Sequence, residues 1–249
     1  AAYLNIDNIM QIAMDNSCDA IHPGYGFLSE NAELASACEA AGIIFVGPAA
    51  DTLKLFGNKV EARKLAASIG IPVVPGTAIA NPEQAKQFAD NNGFPVMVKA
   101  VAGGGGRGMR AVYSQDELDD AFLRCQSEAE AAFADGALLI EKLIEQPRHI
   151  EVQILADANG EVVHLFERDC SIQQRNQKVM EIAPAPNLAH SLRSKILDAA
   201  VQLIKSSGYK NAGTVEFLIT PETNEYFFIE CNPRIQVEHT VTEQVTGIE

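Results

Sequence analysis

The chain has 249 residues, 47% hydrophobic and 21% charged, which is enough apolar material for a substantial core and too much for a disordered chain. Lys and Arg number 19 against 33 Asp and Glu, a formal charge of −14, so the basic face that a duplex nucleic-acid binder needs is not expected. No apolar run approaches the roughly 18 residues of a membrane-spanning helix. The five scattered cysteines form no C-x-x-C pair, which argues for reduced thiols in a cytosolic or organellar-matrix protein rather than a disulfide framework or zinc site.

The apolar positions Ile6, Ile9, Met10, Ala13 and Met14 recur at helical spacing. Residues 18–21 read as a short strand that stops at His22-Pro23-Gly24-Tyr25-Gly26. A helix over 30–41 closes at Gly42, and 43–46 is a second strand bounded by Gly47-Pro48. Strand, helix and strand in alternation predict a parallel α/β unit. Two short helices follow, 50–56 and 59–68, and Asn81-Pro82 opens another. Residues 94–100 are a strand, and after a glycine run 109–113 are the next. Ser114-Gln115-Asp116-Glu117 fits a capping box for a helix reaching Phe133. Strands are expected over 138–144, 150–155 and 162–166, then a helix over 191–206, then a hairpin of 213–219 with 226–231. The parallel opening thus gives way to α+β with antiparallel hairpins.

The run Gly103-Gly104-Gly105-Gly106-Arg107-Gly108 satisfies G-x-G-x-x-G, but a dinucleotide site needs a helix to open there, and 109–113 read as a strand. Met109-Arg110 also fails the Lys-Ser/Thr requirement of a P-loop. What remains is a strand–glycine loop–strand hairpin, either a flap whose amides fold over phosphates or a surface turn. Lys99, ending the strand before the loop, and Lys59, after Gly57-Asn58, are placed to reach the same phosphates; the alternative is two solvated lysines.

Glu216 and Glu230 each sit inside a mostly apolar strand, where a carboxylate is costly to bury without a partner. Paired across a hairpin, the two could share a divalent cation of the kind that magnesium-nucleotide sites use; otherwise they face solvent. Asn232, Arg234, Gln236 and Glu238 alternate with Glu230, so a continuing strand would project all five from one face, with Pro233 at a sheet edge.

His22-Pro23-Gly24-Tyr25-Gly26-Phe27-Leu28-Ser29-Glu30-Asn31, Lys99 with the glycine loop, Glu167-Arg168-Asp169-Cys170-Ser171, and Glu230-Cys231-Asn232-Pro233-Arg234-Ile235-Gln236-Val237-Glu238-His239 together resemble the biotin carboxylase component of biotin-dependent carboxylases. The resemblance spans the chain. It implies an ATP-grasp fold, with 1–56 as the end of an N-terminal parallel α/β domain and 57–249 as the ATP-grasp domain, whose flap subdomain covers about 72–143. It also implies a chain truncated at both ends, lacking a strand–helix unit before residue 1 and a lobe after residue 249.

The resemblance assigns Lys59 and Lys99 to ATP phosphates, Gly105 and Gly106 to the covering loop, and Glu141, Lys142 and Ile144 to the adenine-edge hinge. His149 and Gln173 match ribose and nucleotide contacts, with Asn176 a further binding position. Glu216, Glu230 and Asn232 match magnesium or manganese ligands. Lys178, Arg234, Val237 and Glu238 match the bicarbonate site, with Glu238 as general base, and Tyr25 lies in a loop that approaches biotin. Gln174 stands where the family usually has Arg. Asn176, where many acetyl-CoA carboxylase components have His, and the segment around 232–243 look most like bacterial pyruvate carboxylases. The implied activity is ATP- and bicarbonate-dependent carboxylation of biotin through carboxyphosphate. The implied partners are a biotin carboxyl carrier domain, a carboxyltransferase domain and further copies of the chain, with neither nucleic acid nor membrane. An acyl-CoA carboxylase, a ligase resembling carbamoyl-phosphate synthase and an inactive nucleotide-binding fragment are the competing readings.

Overall fold

The structure, a computed structural model, describes residues 2–102, 108–174, 177–221 and 223–249. Helix α1 (Ile6–Asp15) begins at Asn5, whose side chain accepts the Asn8 amide at 2.9 Å. Strand β1 (Ala20–Ile21) pairs in parallel with β2 (Ile44–Phe45), and α2 (Ala32–Ala40) crosses between them, as the alternation predicts. Met10, Leu28, Leu34, Cys38 and Ile43 form a small core here. Helices α3 (Ala50–Gly57) and α4 (Lys59–Ser68) meet at Asn58, which accepts the amides of Val60 and Glu61 and so caps the second.

Next come β3 (Gly76–Ile79), α5 (Pro82–Asn92), β4 (Val96–Ala100), β5 (Met109–Val112), α6 (Leu118–Phe133) and β6 (Leu138–Lys142). The strands form an antiparallel sheet in the order β3-β6-β4-β5. Val96, Val98 and Ala100 on β4 are buried with Phe122 and Cys125 of α6. The strand's period of two therefore turns Met97 and Lys99 to the opposite face.

The second antiparallel sheet, order β12-β11-β7-β8, comprises β7 (Arg148–Ala156), β8 (Val162–Asp169), β11 (Asn211–Ile219) and β12 (Tyr226–Asn232). Between β8 and β11 lie a hairpin of β9 (Gln173–Gln174) and β10 (Gln177–Lys178), then α7 (His190–Ser206). The chain ends in α8 (His239–Thr246). Ile150, Val152 and Ile154 of β7 and Val215 and Phe217 of β11 pack with Ile196, Leu203 and Ile204 of α7. The same alternation leaves His149, Glu151, Gln153 and Glu216 on the sheet's other face.

Two expectations are corrected. The strand through Glu230 does not continue to Glu238. It ends at Asn232, because Pro233 has no amide for the ladder; the Arg234 amide turns back to the Asn232 carbonyl at 2.9 Å, and Glu238 stands at the N-cap position of α8 without a side-chain capping bond. Ser114 makes no side-chain cap; a short 3-10 turn precedes α6, and Glu117 reaches back to the Tyr113 amide at 2.9 Å. The short elements β3, β9 and β10, together with α8, were not predicted.

Gly213, inside β11, is fixed by close approach. A Cβ there would lie 2.3 Å from the Tyr209 hydroxyl, which donates to the Ala212 carbonyl at 2.9 Å. Gly213→Ala should therefore displace the buried Tyr209 ring and cost about 1–3 kcal/mol. Urea unfolding of parent and variant measures this, and an unchanged midpoint would mean that Tyr209 moves freely.

Candidate active site

A cleft of about 1070 Å³ lies between the two sheets. From the smaller sheet Met97, Lys99, Leu139 and Glu141 border it, and from the larger sheet His149, Glu216, Leu218 and Glu230. Tyr25, Lys59, Lys142, Ile144, Gln173, Lys178, Asn232, Arg234, Val237 and Glu238 also line it, so every expected site residue that the structure describes converges here. Gly105, Gly106 and Asn176 lie outside the described residues.

At the smaller sheet, Lys99 Nζ is paired with Glu141 Oε1, while Glu141 Oε2 accepts from Arg63 Nη1 of α4 at 3.1 Å. The Glu141 side chain is thus committed to two cations. Lys142 Nζ donates to the carbonyls of Gly93 (3.1 Å) and Phe94 (2.8 Å) and so anchors the strand's end. Lys59, at the first turn of α4, places Nζ 3.9 Å from Glu230 Oε2.

The larger sheet carries a lateral row. Glu230 is in register with Glu216, Glu216 with Glu151, and Glu151 with Arg168. Lys178, projected over this row by the β9–β10 hairpin, donates to Glu151 Oε2, to Glu216 Oε1 at 2.9 Å and to Glu238 Oε1 at 3.1 Å. Burial works against its charge, but Glu216 and Glu151 more than offset that and raise its pKa. Glu216 also accepts from Asn232 Nδ2 at 2.7 Å and meets His149 Nε2 at 2.6 Å. The Gln173 side-chain amide lies 2.8 Å from His149 Nδ1; burial works against the imidazolium, but Glu216 more than offsets that and raises the His149 pKa. Burial would raise the Glu216 pKa, yet His149 and Lys178 hold it well below the usual carboxylate range.

Glu230 goes the other way. Burial first, then the neighbouring Glu216, push its carboxyl up, with Lys59 only partly opposing. Two adjacent carboxylates with a shortfall of cationic charge suit a divalent cation held by few protein oxygens, so Glu216, Glu230 and the Asn232 amide fit such an ion.

Two polar groups went unrecognised in the sequence. Arg168 is completely buried and donates to Glu151 Oε1 at 2.6 Å, Gln153 Oε1 at 2.9 Å, Thr242 Oγ1 at 2.8 Å and Gln236 Oε1 at 3.0 Å. Glu181 has two buried oxygens that find no hydrogen-bond partner among the described residues, and its pKa is pushed up to about 8, by burial first and then by Glu151. Glu151, Cys170 and Glu181 each bring a ligand atom within 4.8 Å of the others, but Glu151 is already bonded to Arg168 and Lys178, so protein cations meet the charge there.

The family model described as carbamoyl-phosphate synthase L chain, ATP binding domain matches residues 58–249, and the one described as biotin carboxylase, N-terminal domain matches 1–53. With the two sheets facing across a lysine-bearing cleft, these matches define an ATP-grasp domain. The chain belongs to the family of that ATP-binding domain, and the two matches side by side are those of a biotin carboxylase. Pyruvate carboxylase 1 of Caenorhabditis elegans is 55% identical over 251 residues, and pyruvate carboxylase of Bacillus subtilis 54% over 250. Each alignment takes in the whole chain but only 21% and 22% of those proteins, so the chain spans about a fifth of their length. The biotin carboxylase domain of a 2-oxoglutarate carboxylase from Hydrogenobacter thermophilus, solved as a dimer with MgADP, ADP and bicarbonate, superimposes with a TM-score of 0.96 at 46% identity, covering 99% of this chain and 55% of that one. No helix of the described residues is long and apolar enough to cross a membrane.

An acid whose pKa is raised on folding holds its proton more tightly in the folded state. For Glu181 that stabilisation is complete below the ordinary value of 4.5 and is lost as pH rises through about 8. The urea midpoint should therefore fall between pH 5 and pH 8.5, and Glu181→Gln should flatten that part of the profile. Parallel profiles in the two proteins would show that Glu181 is not held neutral.

Proposed function

We propose that this chain is the nucleotide- and bicarbonate-binding part of a biotin carboxylase, within a protein of pyruvate carboxylase type. One observation carries the reading: Lys178, Arg234 and Glu238 meet in the same cleft as Lys59 and Lys99, so an anion-and-base cluster faces a pair of phosphate-binding lysines. Residues 1–56 are proposed as the end of an N-terminal α/β domain and 57–249 as the ATP-grasp domain, with a flap subdomain over about 72–143.

In this reading Lys99 and Lys59 bind ATP phosphates, while the hinge near Glu141, Lys142 and Ile144 takes the adenine edge and His149 and Gln173 the ribose side. Glu216, Glu230 and Asn232 hold magnesium or manganese, which neutralises phosphate charge when bound. Lys178, Arg234 and the Val237 segment hold bicarbonate. Glu238 takes its proton as a bicarbonate oxygen attacks the γ-phosphorus and ADP leaves; carboxyphosphate then breaks into CO2 and phosphate, the phosphate accepts the ureido N–H proton of biotin, and the freed nitrogen captures the CO2. Phosphoryl transfer of this kind relies on positioning and charge neutralisation, which these side chains supply. Biotin enters past Tyr25 on a carrier domain, and a carboxyltransferase domain passes the carboxyl group on. The similarity to bacterial and mitochondrial pyruvate carboxylases supports a bacterial cytoplasm or an organellar matrix, and the dimer of the similar biotin carboxylase domain supports a homo-oligomeric protein.

The test is ADP release by the full-length protein that carries this chain, with bicarbonate and free biotin. Release should require both, and ammonia should not replace biotin; ammonia-dependent release would favour a ligase resembling carbamoyl-phosphate synthase. Glu238→Gln should lower bicarbonate-dependent turnover about 100-fold or more, because an amide cannot accept the proton, while ATP affinity stays within about threefold. Near-parent turnover would remove Glu238 as the base.

A further inference from the structure

The motif at residues 22–31 places Tyr25 in the cleft, but its glutamate has no part in the reading so far. Glu30 precedes α2 and is not among the residues lining the cleft. Its carboxylate accepts from Arg234 Nε at 2.6 Å, across 204 positions of sequence. Arg234 Nη1 donates to the Ile235 carbonyl at 3.2 Å, and Nη2 to Asn232 Oδ1 at 3.2 Å. Among the described residues three of the five guanidinium N–H groups are therefore committed, leaving one on each Nη, the number a planar oxyanion takes in a two-pronged contact.

Glu30 is itself held in place. Ser29 and Leu28 before it are buried, Leu28 in the core of the first unit. The Ser29 amide donates to the Gly26 carbonyl at 2.9 Å and the Asn31 amide to the Leu28 carbonyl at 3.0 Å; Asn31 caps α2 by accepting the Leu34 amide at 2.8 Å. The Glu30 side chain is 41% exposed and that of Arg234 21%, and pairs so open to solvent add little to stability. What a short, fixed contact supplies is direction.

We propose that Glu30 is a positioning residue for Arg234, fixing the guanidinium through Nε so that its remaining N–H groups serve the bicarbonate, and that anion binding in the ATP-grasp domain thereby depends on the docked first α/β unit. This rests on Arg234 being the bicarbonate-binding arginine. Glu30→Ala frees the guanidinium to rotate. Glu30→Gln keeps an acceptor without the charge, and Glu30→Asp keeps the charge at shorter reach.

The experiment measures bicarbonate and ATP dependence of ADP release in the full-length protein, for these three variants beside Arg234→Ala. Glu30→Ala should raise the KM for bicarbonate roughly tenfold while kcat and the KM for ATP stay within about twofold. Glu30→Asp and Glu30→Gln should fall between it and the parent. Combined with Arg234→Ala, Glu30→Ala should add nothing further, as expected when one residue acts only through the other. If Arg234→Ala raises the bicarbonate KM and Glu30→Ala does not, the positioning role is overturned. If Glu30→Ala weakens ATP and bicarbonate alike and lowers the melting temperature, the contact is merely structural and the proposal also fails. If Arg234→Ala leaves bicarbonate dependence intact, the site reading itself falls, and this inference with it.

Discussion

A guanidinium cut off from solvent must find acceptors inside the protein, or its burial costs several kcal/mol. Arg168, with no exposed surface, gives four hydrogen bonds to acceptors in three parts of the chain: Glu151 and Gln153 on β7, Gln236 in the turn after β12, and Thr242 on α8. One side chain thus fixes how the segment bearing Arg234 and Glu238 lies on the sheet. It also holds Glu151, which in turn holds Lys178. The cluster proposed to be catalytic is the far side of a structural one, and the placement of Lys178 over the sheet follows from the satisfaction of Arg168 beneath it.

The row Glu230, Glu216, Glu151, Arg168 shows how register becomes electrostatics. Three carboxylates side by side would repel one another. Arg168 and Lys178 compensate one end of the row and His149 with Lys178 the middle, while Lys59 approaches the other end only to 3.9 Å. The result is that Glu216 is driven down and Glu230 up, although the two are cross-strand partners of one residue type. The end that protein cations leave under-compensated is where a divalent ion is expected.

The sequence made part of this legible. An acid in an apolar strand is conspicuous, and that signal marked Glu216 and Glu230. Ile150-Glu151-Val152-Gln153-Ile154 carries the same alternation, so Glu151 was within reach of the same reasoning, whereas Arg168 stood out only as part of a motif. The hairpin that delivers Lys178 has strands of two residues, too short for any period to show. β3 buries only Ile79 of its four residues and so has no alternating pattern to read. Residues 232–238 alternate as a strand would, yet the missing amide of Pro233 ends the ladder; they reach the cleft through a turn instead. The contact between Glu30 and Arg234 joins positions with nothing local in common, and only the tertiary fold displays it.

The ion pairs at the cleft share a property that bears on catalysis. Lys99 can turn from Glu141 to an anion without leaving that carboxylate bare, because Arg63 still holds its other oxygen. The same holds for two of the three carboxylates around Lys178: Glu151 keeps Arg168, and Glu216 keeps His149 and Asn232. Glu238 differs. Among the described residues Lys178 is the only hydrogen-bond partner of its carboxylate. An anion that draws Lys178 away would therefore leave Glu238, alone of the three carboxylates, without a hydrogen-bond partner among the described residues. Drawing Lys178 onto an arriving anion would thus uncover the carboxylate of the group proposed to deprotonate it, while the buried carboxylates Glu151 and Glu216 keep partners that do not need to move.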